Sequence, residues 1–336
     1  MNIKELDYKL PPSLIAERPA SPRDGARLMV LDRANKKIKH LKFFEIDKVL
    51  KPGDVLVFNN SKVFSARIAA KREDGKTIEV LFISEVSDFK WEVLIRGRVK
   101  DGQLLRLNGG LKVTIKKGEI TVALVSLKKS DFFRYLNKYG QVPLPPYIKR
   151  LTRREDKINY QNVFAKKIGS AAAPTAGLHF TNRLLKKLKN KGIKIEYITL
   201  HVGLGTFAPI REAMVEQHQI HTEHFEIKED VAKRLNLAKK NGQRIIACGT
   251  TSLRALESAS RSSIIKEKSG ETDIYIYPGY KFRFVDGLIT NFHTPRSSLL
   301  ALVFAFGSTE YVKKAYQLAI RKKYRFFSYG DGMIIV

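Results

Sequence analysis

Three histidines, His179, His201 and His293, stand in or beside loops of small residues. Histidine titrates near neutrality, so each is a candidate to take or give a proton at ordinary pH. Six of the 7 histidines fall between His179 and His293, which gathers this chemistry into the second half of the chain. His179 closes "AAAPTAGLH" within Ala171–Thr181, where small residues, one proline and one glycine let the backbone come close to a ligand. His201 opens "HVGLGTFAP" (His201–Pro209), whose Gly203-x-Gly205-Thr206 exposes backbone N–H groups. The third glycine of a dinucleotide fingerprint is missing and no helix follows directly, so an ordinary strand-exit turn fits equally well. His293 lies in "TNFHTPRSS" (Thr290–Ser298), a strand-to-helix turn with a proline at the first helical turn. A further group, His218, His221, Glu223 and His224, has neither an HExxH spacing nor a cysteine pair beside it, so no metal site is expected.

Other segments read as binding elements. "CGTTSLRALES" (Cys248–Ser258) runs strand, tight turn, helix, with Thr250 and Thr251 at the helix start. Such an end offers free N–H groups and partial positive charge to a carboxylate, a ribose hydroxyl or a phosphate, though plain N-capping explains the same residues. "RKKYRFFSYGDGM" (Arg321–Met333) interleaves bases with aromatics. That suits stacking on unpaired nucleobases, or simply a basic helix end followed by a core strand. Arg23, Asp24 and Arg27 cluster before a strand, as either a salt-bridged turn or an anion clamp. No Ser-His-Asp order, Walker loop or paired-cysteine motif is present.

These segments need elements to hold them. "ARLMVLDR" (Ala26–Arg33) and "DVLVF" (Asp54–Phe58) read as buried strands. From Val63 to Leu127, six short strand-like runs are separated by turn residues, which predicts a small antiparallel barrel or sandwich. A short helix near Asp131–Lys138 and the proline-rich "GQVPLPPYIKR" follow. Beyond them helices and strands alternate. Thr181 caps a helix ending near Gly192, "IKIEYITLHV" is a strand, "KEDVAKRLNLAKKNG" a helix, "QRIIACG" a buried strand, and "TDIYIYPG" another strand. Two helices close the series, Ser297–Phe306 and Thr309–Lys322. The pattern predicts an α/β fold: a larger α/β domain (1–62 and 150–336) with a mostly parallel sheet, and a small antiparallel β-barrel domain (63–149) inserted into it.

With 336 residues, the chain is long enough for one large domain or two ordinary ones, and 43% hydrophobic residues suit a globular core. A single cysteine, Cys248, excludes an internal disulfide. No apolar run reaches the roughly 18–20 residues of a membrane span, and "MNIKELDYKLPPSL" lacks a signal-peptide core, so a cytoplasmic location is expected. The net charge of +29, from 62 Lys+Arg against 33 Asp+Glu, points to a polyanionic partner. Lysine-rich helix faces such as "RLLKKLKNKGIK" are the plainer alternative.

Taken in order, "DYKLPPSLIAERPASPRDGARLMVLDR", "VFNNSKVFSARI", "PLPPYIKR", "YQNVFAKKIGSAAAPTAGLHFT", "HVGLGTFAPI", "HQIHTEHFEI", "GTTSLRALES", "TNFHTPRSSLLALVFAF" and "YRFFSYGDGMIIV" resemble the S-adenosylmethionine:tRNA ribosyltransferase-isomerases of queuosine biosynthesis. The likeness runs from Asp7 to the C-terminus, with only the barrel region lacking sharp motifs. Ser61-Lys62 stand where that family usually has Thr-Arg, Thr294 where it has Leu, and Gly332 where it has Ala. The resemblance implies an α/β domain with an inserted barrel. It also implies transfer of the ribosyl part of S-adenosylmethionine onto 7-aminomethyl-7-deazaguanine at a tRNA wobble position, giving epoxyqueuosine with loss of adenine and methionine. S-adenosylmethionine is then a consumed co-substrate, with no permanently bound cofactor and no metal. The implied partners are that nucleoside and a tRNA with a queuosine-type anticodon, met by a monomer away from any membrane. His179, His201 and His293 become the acid/base candidates. Thr175, Gly177, Gly203, Gly205, Thr206, Thr250, Thr251 and Arg254 become the nucleoside and methionine contacts. Arg23, Asp24, Arg27, Asn60, Arg67 and Tyr329 are expected to hold tRNA or complete the pocket. An S-adenosylmethionine-dependent tRNA methyltransferase and a non-enzymatic RNA-binding protein are the alternatives.

Overall fold

The computed structural model describes residues 1–203, 209–266 and 268–336. The N-terminal part supplies β1 (Arg27–Asp32), β2 (Lys37–Lys42), β3 (Val55–Asn59) and the short β4 (Ser61–Val63). Six strands follow: β5 (Arg67–Lys71), β6 (Thr77–Ser87), β7 (Lys90–Arg96), β8 (Leu104–Leu107), β9 (Lys112–Lys116) and β10 (Val122–Val125). They close into an antiparallel barrel in the order β10-β7-β6-β5-β8-β9. Helix α1 (Lys129–Tyr139) sets Phe132 and Leu136 into the barrel core beside Trp91 and Phe82. The chain enters and leaves the barrel side by side, because Arg67 and Gln141 exchange backbone hydrogen bonds of 3.1 and 2.7 Å. Gly140 is required there, since a Cβ would lie 2.2 Å from the Ser65 carbonyl oxygen.

The remaining elements are α2 (Asp156–Asn159), β11 (Lys167–Ser170), α3 (Asn182–Asn190), β12 (Lys194–Leu200), β13 (Glu223–Glu226), α4 (Glu229–Lys240), β14 (Ile245–Cys248) and α5 (Thr250–Ala259). After them come β15 (Ser260–Arg261), β16 (Ile264–Ile265), β17 (Ser269–Thr272), β18 (Gly287–Asn291), α6 (Ser298–Gly307), α7 (Thr309–Arg321) and β19 (Gly332–Ile335). The large sheet runs β17-β13-β12-β3-β14-β18-β19-β1-β2. Its centre, β12-β3-β14-β18, is parallel, as is β19 on β1. The pairings of β17-β13, β13-β12, β18-β19 and β1-β2 are antiparallel, so the sheet is mixed.

The central strands are continuous apolar runs because both of their faces are covered. Met29, Leu31, Val57 and Ala247 enter one core while Leu28, Val30, Leu56 and Ile246 enter the other, the period-2 split of a strand between two layers. The edge strand β2, "KIKHLK", alternates instead and exposes its lysines. Helix α6 is apolar on every side and correspondingly buried on almost every side. The strand expected in "TDIYIYPG" lies upstream instead: β17 is Ser269–Thr272 and takes in only the first residue of that stretch. Its partner β13 begins at Glu223, opposite Thr272, so nothing remains for Asp273–Tyr277 to pair with.

Candidate functional site

Cavity ligands in such sheets gather beyond the carboxyl ends of parallel strands. Here β14 and β18 end beside the Ala171–Thr181 loop, and the three converge on one cavity. Thr175 and Ala176 line it from the loop, Thr250 and Thr251 from the start of α5, and Thr290 to Thr294 from the end of β18; Tyr147, Phe327 and Ser328 close it. The turn into α5 works because Gly249 adopts φ +93°, which only glycine takes easily. A Cβ on Gly249 would sit 3.7 Å from the Ala176 Cβ, so loop and helix start are in contact. The cavity holds about 40 Å³, room for one or two waters. Admitting a nucleoside therefore requires its walls to part. Leucine in place of Ala176 is expected to fill the space and abolish S-adenosylmethionine binding, read by calorimetry, with the thermal unfolding profile retained. Unchanged affinity would remove the loop from the binding site.

Each histidine has a distinct setting. His293 faces the cavity, with its Nε2 2.8 Å from the Thr290 hydroxyl. Its backbone N–H donates to the Tyr316 hydroxyl at 3.0 Å and its carbonyl accepts from Tyr8. Enclosure by protein pushes its imidazole down to about 3. His179 lies behind the wall rather than on it. Its ring stacks on Phe43 with centroids 4.5 Å apart, and its Nε2 is 3.2 Å from the Asn291 side-chain nitrogen. Burial pushes it down to about 4, against a smaller opposing pull from Asp331. His201 lies in a second cleft, toward the barrel. Its ring is wedged onto Gly169, where a Cβ would be 2.6 Å away, and its buried Nδ1 has no partner among the described residues. Desolvation pushes it down to about 4 as well. All three rings are neutral at pH 7, so they are equipped to accept protons rather than to donate them as imidazolium.

Of the proposed contacts, Thr175, Thr250 and Thr251 reach the central cavity, and Thr251 Oγ1 is buried without a partner. Gly177 instead allows the loop to pack, since a Cβ would lie 2.8 Å from the Asn162 side chain and from Phe164. Gly203 borders the barrel-facing cleft and donates its N–H to Glu223 at 3.1 Å. Gly205 and Thr206 lie outside the described residues. Arg254 is buried in a third, adjoining cavity, paired through Nη1 with Glu223 and through Nε with the Ile274 carbonyl at 3.2 Å, while Nη2 has no partner among the described residues. Leu299 lines both that cavity and the central one.

The N-terminal group is spread out. Arg23 donates to the carbonyls of Gln161 and Ile158, both at 2.7 Å. Asp24 accepts from Thr181 at 2.8 Å and from Arg183 at 3.2 Å. Arg27 pairs with Asp331 and lies over the Tyr324 ring. Asn60 accepts from Thr199 at 2.8 Å. Arg67 donates to the Leu144 carbonyl at 3.3 Å beside the barrel. Tyr329 is buried edge-on to Tyr160, next to the Arg150–Asp156 pair. None of these six lines the central cavity. Asn291, Thr290, Tyr147 and Ser328 do, and sequence reasoning passed over them although the first two flank His293 in the same motif. The described residues contain no group of three metal-ligating side chains placed to hold an ion, and no helix long and apolar enough to cross a membrane.

A large mixed sheet covered by helices, a closed six-stranded antiparallel barrel set between β4 and β11, and a polar cavity at the ends of the parallel strands define a two-part α/β protein. Comparison narrows the class. The family described as "Queuosine biosynthesis protein" matches residues 3–335, and the chain belongs to that family. The S-adenosylmethionine:tRNA ribosyltransferase-isomerase of Halothermothrix orenii is 49% identical over 343 residues, spanning 100% of both chains. That of Sulfurihydrogenibium sp. is 47% identical over 339 residues, again 100% of both. The crystal structure of S-adenosylmethionine tRNA ribosyltransferase from Thermotoga maritima is 36% identical and superposes with a TM-score of 0.58, covering 99% of this chain and 100% of that one.

Proposed function

We propose that this chain transfers and isomerises the ribosyl moiety of S-adenosylmethionine onto 7-aminomethyl-7-deazaguanine at the wobble position of tRNA, forming epoxyqueuosine and releasing adenine and methionine. Membership of the family supports the reaction. The observation that carries it is the convergence of the Ala171–Thr181 loop, the α5 start and the Thr290–Thr294 turn on one cavity that holds a neutral histidine. A proton must leave C5′ beside the sulfonium, and His293, held by Thr290, is the base we assign to it. Thr250, Thr251 and the α5 N-terminus offer donors to ribose hydroxyls. The unpartnered Arg254 Nη2 is the donor we assign to the methionine carboxylate. Tyr147 is hydrogen-bonded to Ser328 and burial pushes its pKa up, so it stays protonated and can donate to departing adenine. His179 orients Asn291 from behind the wall.

The reading takes residues 63–149 as the inserted barrel unit and the chain as a cytoplasmic monomer, with S-adenosylmethionine consumed as co-substrate. Its test is adenine release from S-adenosylmethionine dependent on tRNA bearing the aminomethyl precursor. Label should pass to the tRNA from the ribosyl group; transfer of methyl label instead would make the chain a methyltransferase. The excess positive charge adds an expectation. Log K for tRNA should fall linearly with log[salt], with a slope of about −0.7 to −0.9 per neutralised phosphate. A flat salt dependence would detach the basic surface from tRNA binding.

A further inference from the structure

The cleft that holds His201 has a composition at odds with the rest of the protein. It measures about 770 Å³ and lies between the barrel and the large sheet, within the roughly 300–1,000 Å³ range of ligand sites. Val202 borders both it and the central cavity, so the two adjoin. Four carboxylates line it, Glu85, Glu92, Glu223 and Glu271, against one lysine, Lys129. The chain as a whole carries +29. Against that net charge the cleft lining is locally acidic.

Three of the carboxylates are matched internally. Glu85 pairs with Lys129 at 2.9 Å, Glu223 with Arg254, and Glu271 with His224 at 3.2 Å. Glu92, half-buried on β7, meets only the Ser84 hydroxyl at 3.3 Å and has no cationic partner among the described residues. Two further groups, on residues that line the cleft from its barrel and sheet sides, are unsatisfied among the described residues. The indole N–H of Trp91, a residue only 1% exposed, has no acceptor, and the buried Nδ1 of His201 has no partner. Buried polar atoms left unmatched carry a cost that a ligand's polar edge removes. Phe133, half-buried in the lining, adds an aromatic face of the kind on which unpaired bases stack.

We propose that this cleft receives the extruded wobble base in its cationic form, and that Glu92 pairs with the ammonium of its aminomethyl group. The proposal rests on the function proposed above and adds where the base sits and what reads its charge. An unpaired loop nucleotide can swing into such a site at modest cost. A carboxylate without a cation of its own then distinguishes the aminomethyl base from an uncharged analogue of the same shape, because only the ammonium can form a charge-assisted hydrogen bond with it.

The test measures binding rather than turnover. Two anticodon stem-loop RNAs are compared, one with aminomethyl-deazaguanine at the wobble position and one with the uncharged cyano analogue, against the intact protein and Glu92→Gln. The intact protein should prefer the aminomethyl loop. Glu92→Gln should lose roughly 10–100-fold in affinity for that loop, the range of a charge-assisted hydrogen bond, with affinity for the cyano loop and for S-adenosylmethionine unchanged. No loss, or an equal loss on both loops, would overturn the assignment. If instead the intact protein released no adenine with aminomethyl tRNA, the proposed reaction would fall, while the two-loop comparison would still decide whether Glu92 reads the charge.

Discussion

Replacing His293 by alanine is expected to slow single-turnover adenine release by about 10²–10⁴-fold, the usual share of a positioned general base. Affinity for S-adenosylmethionine should change little, because the hydroxyls of Thr250 and Thr251 remain in place. The pH profile carries a second, independent signature. His293 is pushed down to about 3 by burial. A base with that pKa is neutral throughout the working range, so kcat/KM should show no acid limb near 6.5. Activity should stay level as pH falls until the protein itself gives way. That limit has the same physical origin. His179, His201 and His293 are all depressed in the folded state relative to the ordinary 6.5. The unfolded chain therefore binds more protons between about pH 3 and 6.5, and the stability these rings contribute is present above pH 6.5 and lost as pH falls through that window. Circular dichroism at each pH separates the two effects. An acid limb near 6.5 in fully folded protein would show that another group is the base.

The sequence made the site legible where the chemistry is local. "AAAPTAGLHFT" and "CGTTSLRALES" announce a small-residue loop and a helix start, and Thr175, Thr250 and Thr251 do meet in one cavity. Roles that depend on distant partners were not readable. Asn291 joins His179, 112 residues away, to the Phe327 carbonyl, and nothing in its own motif signals either contact. Glu223 stands among histidines with no metal-ligand spacing, and nothing beside it in the sequence signals that its carboxylate turns to Arg254 and to the Gly203 N–H. Arg27 reads as part of either a salt-bridged turn or an anion clamp, and its salt bridge is to Asp331, 304 residues away, with its remaining donors on the carbonyls of Lys322 and Lys323. The fold shows the same division. Six strand runs with regular turns specify a barrel, whereas the strand expected in "TDIYIYPG" lies at Ser269–Thr272, where β13 from elsewhere in the chain supplies a partner.

The Glu223–Arg254 pair is where stability and function meet. Their side chains are 3% and 4% exposed, so bulk salt screens the pair little. Glu223→Ala removes the counter-charge and strands Arg254 inside the protein. It also removes the acceptor for the Gly203 N–H, which begins the strand-exit loop. The cost expected for an uncompensated buried charge is about 3–5 kcal/mol. It should appear as a lower urea midpoint with an unchanged m-value, and be largely independent of salt between 0.05 and 0.5 M, buffer values chosen to span about a decade of ionic strength. Arg254→Met leaves the opposite charge unpaired and should cost a similar amount. Combining Glu223→Ala with Arg254→Met removes both charges, so the double variant should be far more stable than the sum of the single losses predicts. That rescue separates the two roles of the arginine. The double variant would be folded yet lack the Nη2 donor, so S-adenosylmethionine binding should remain weak in it. Restored stability together with restored affinity would reduce Arg254 to a structural residue and return the methionine carboxylate to the α5 N-terminus.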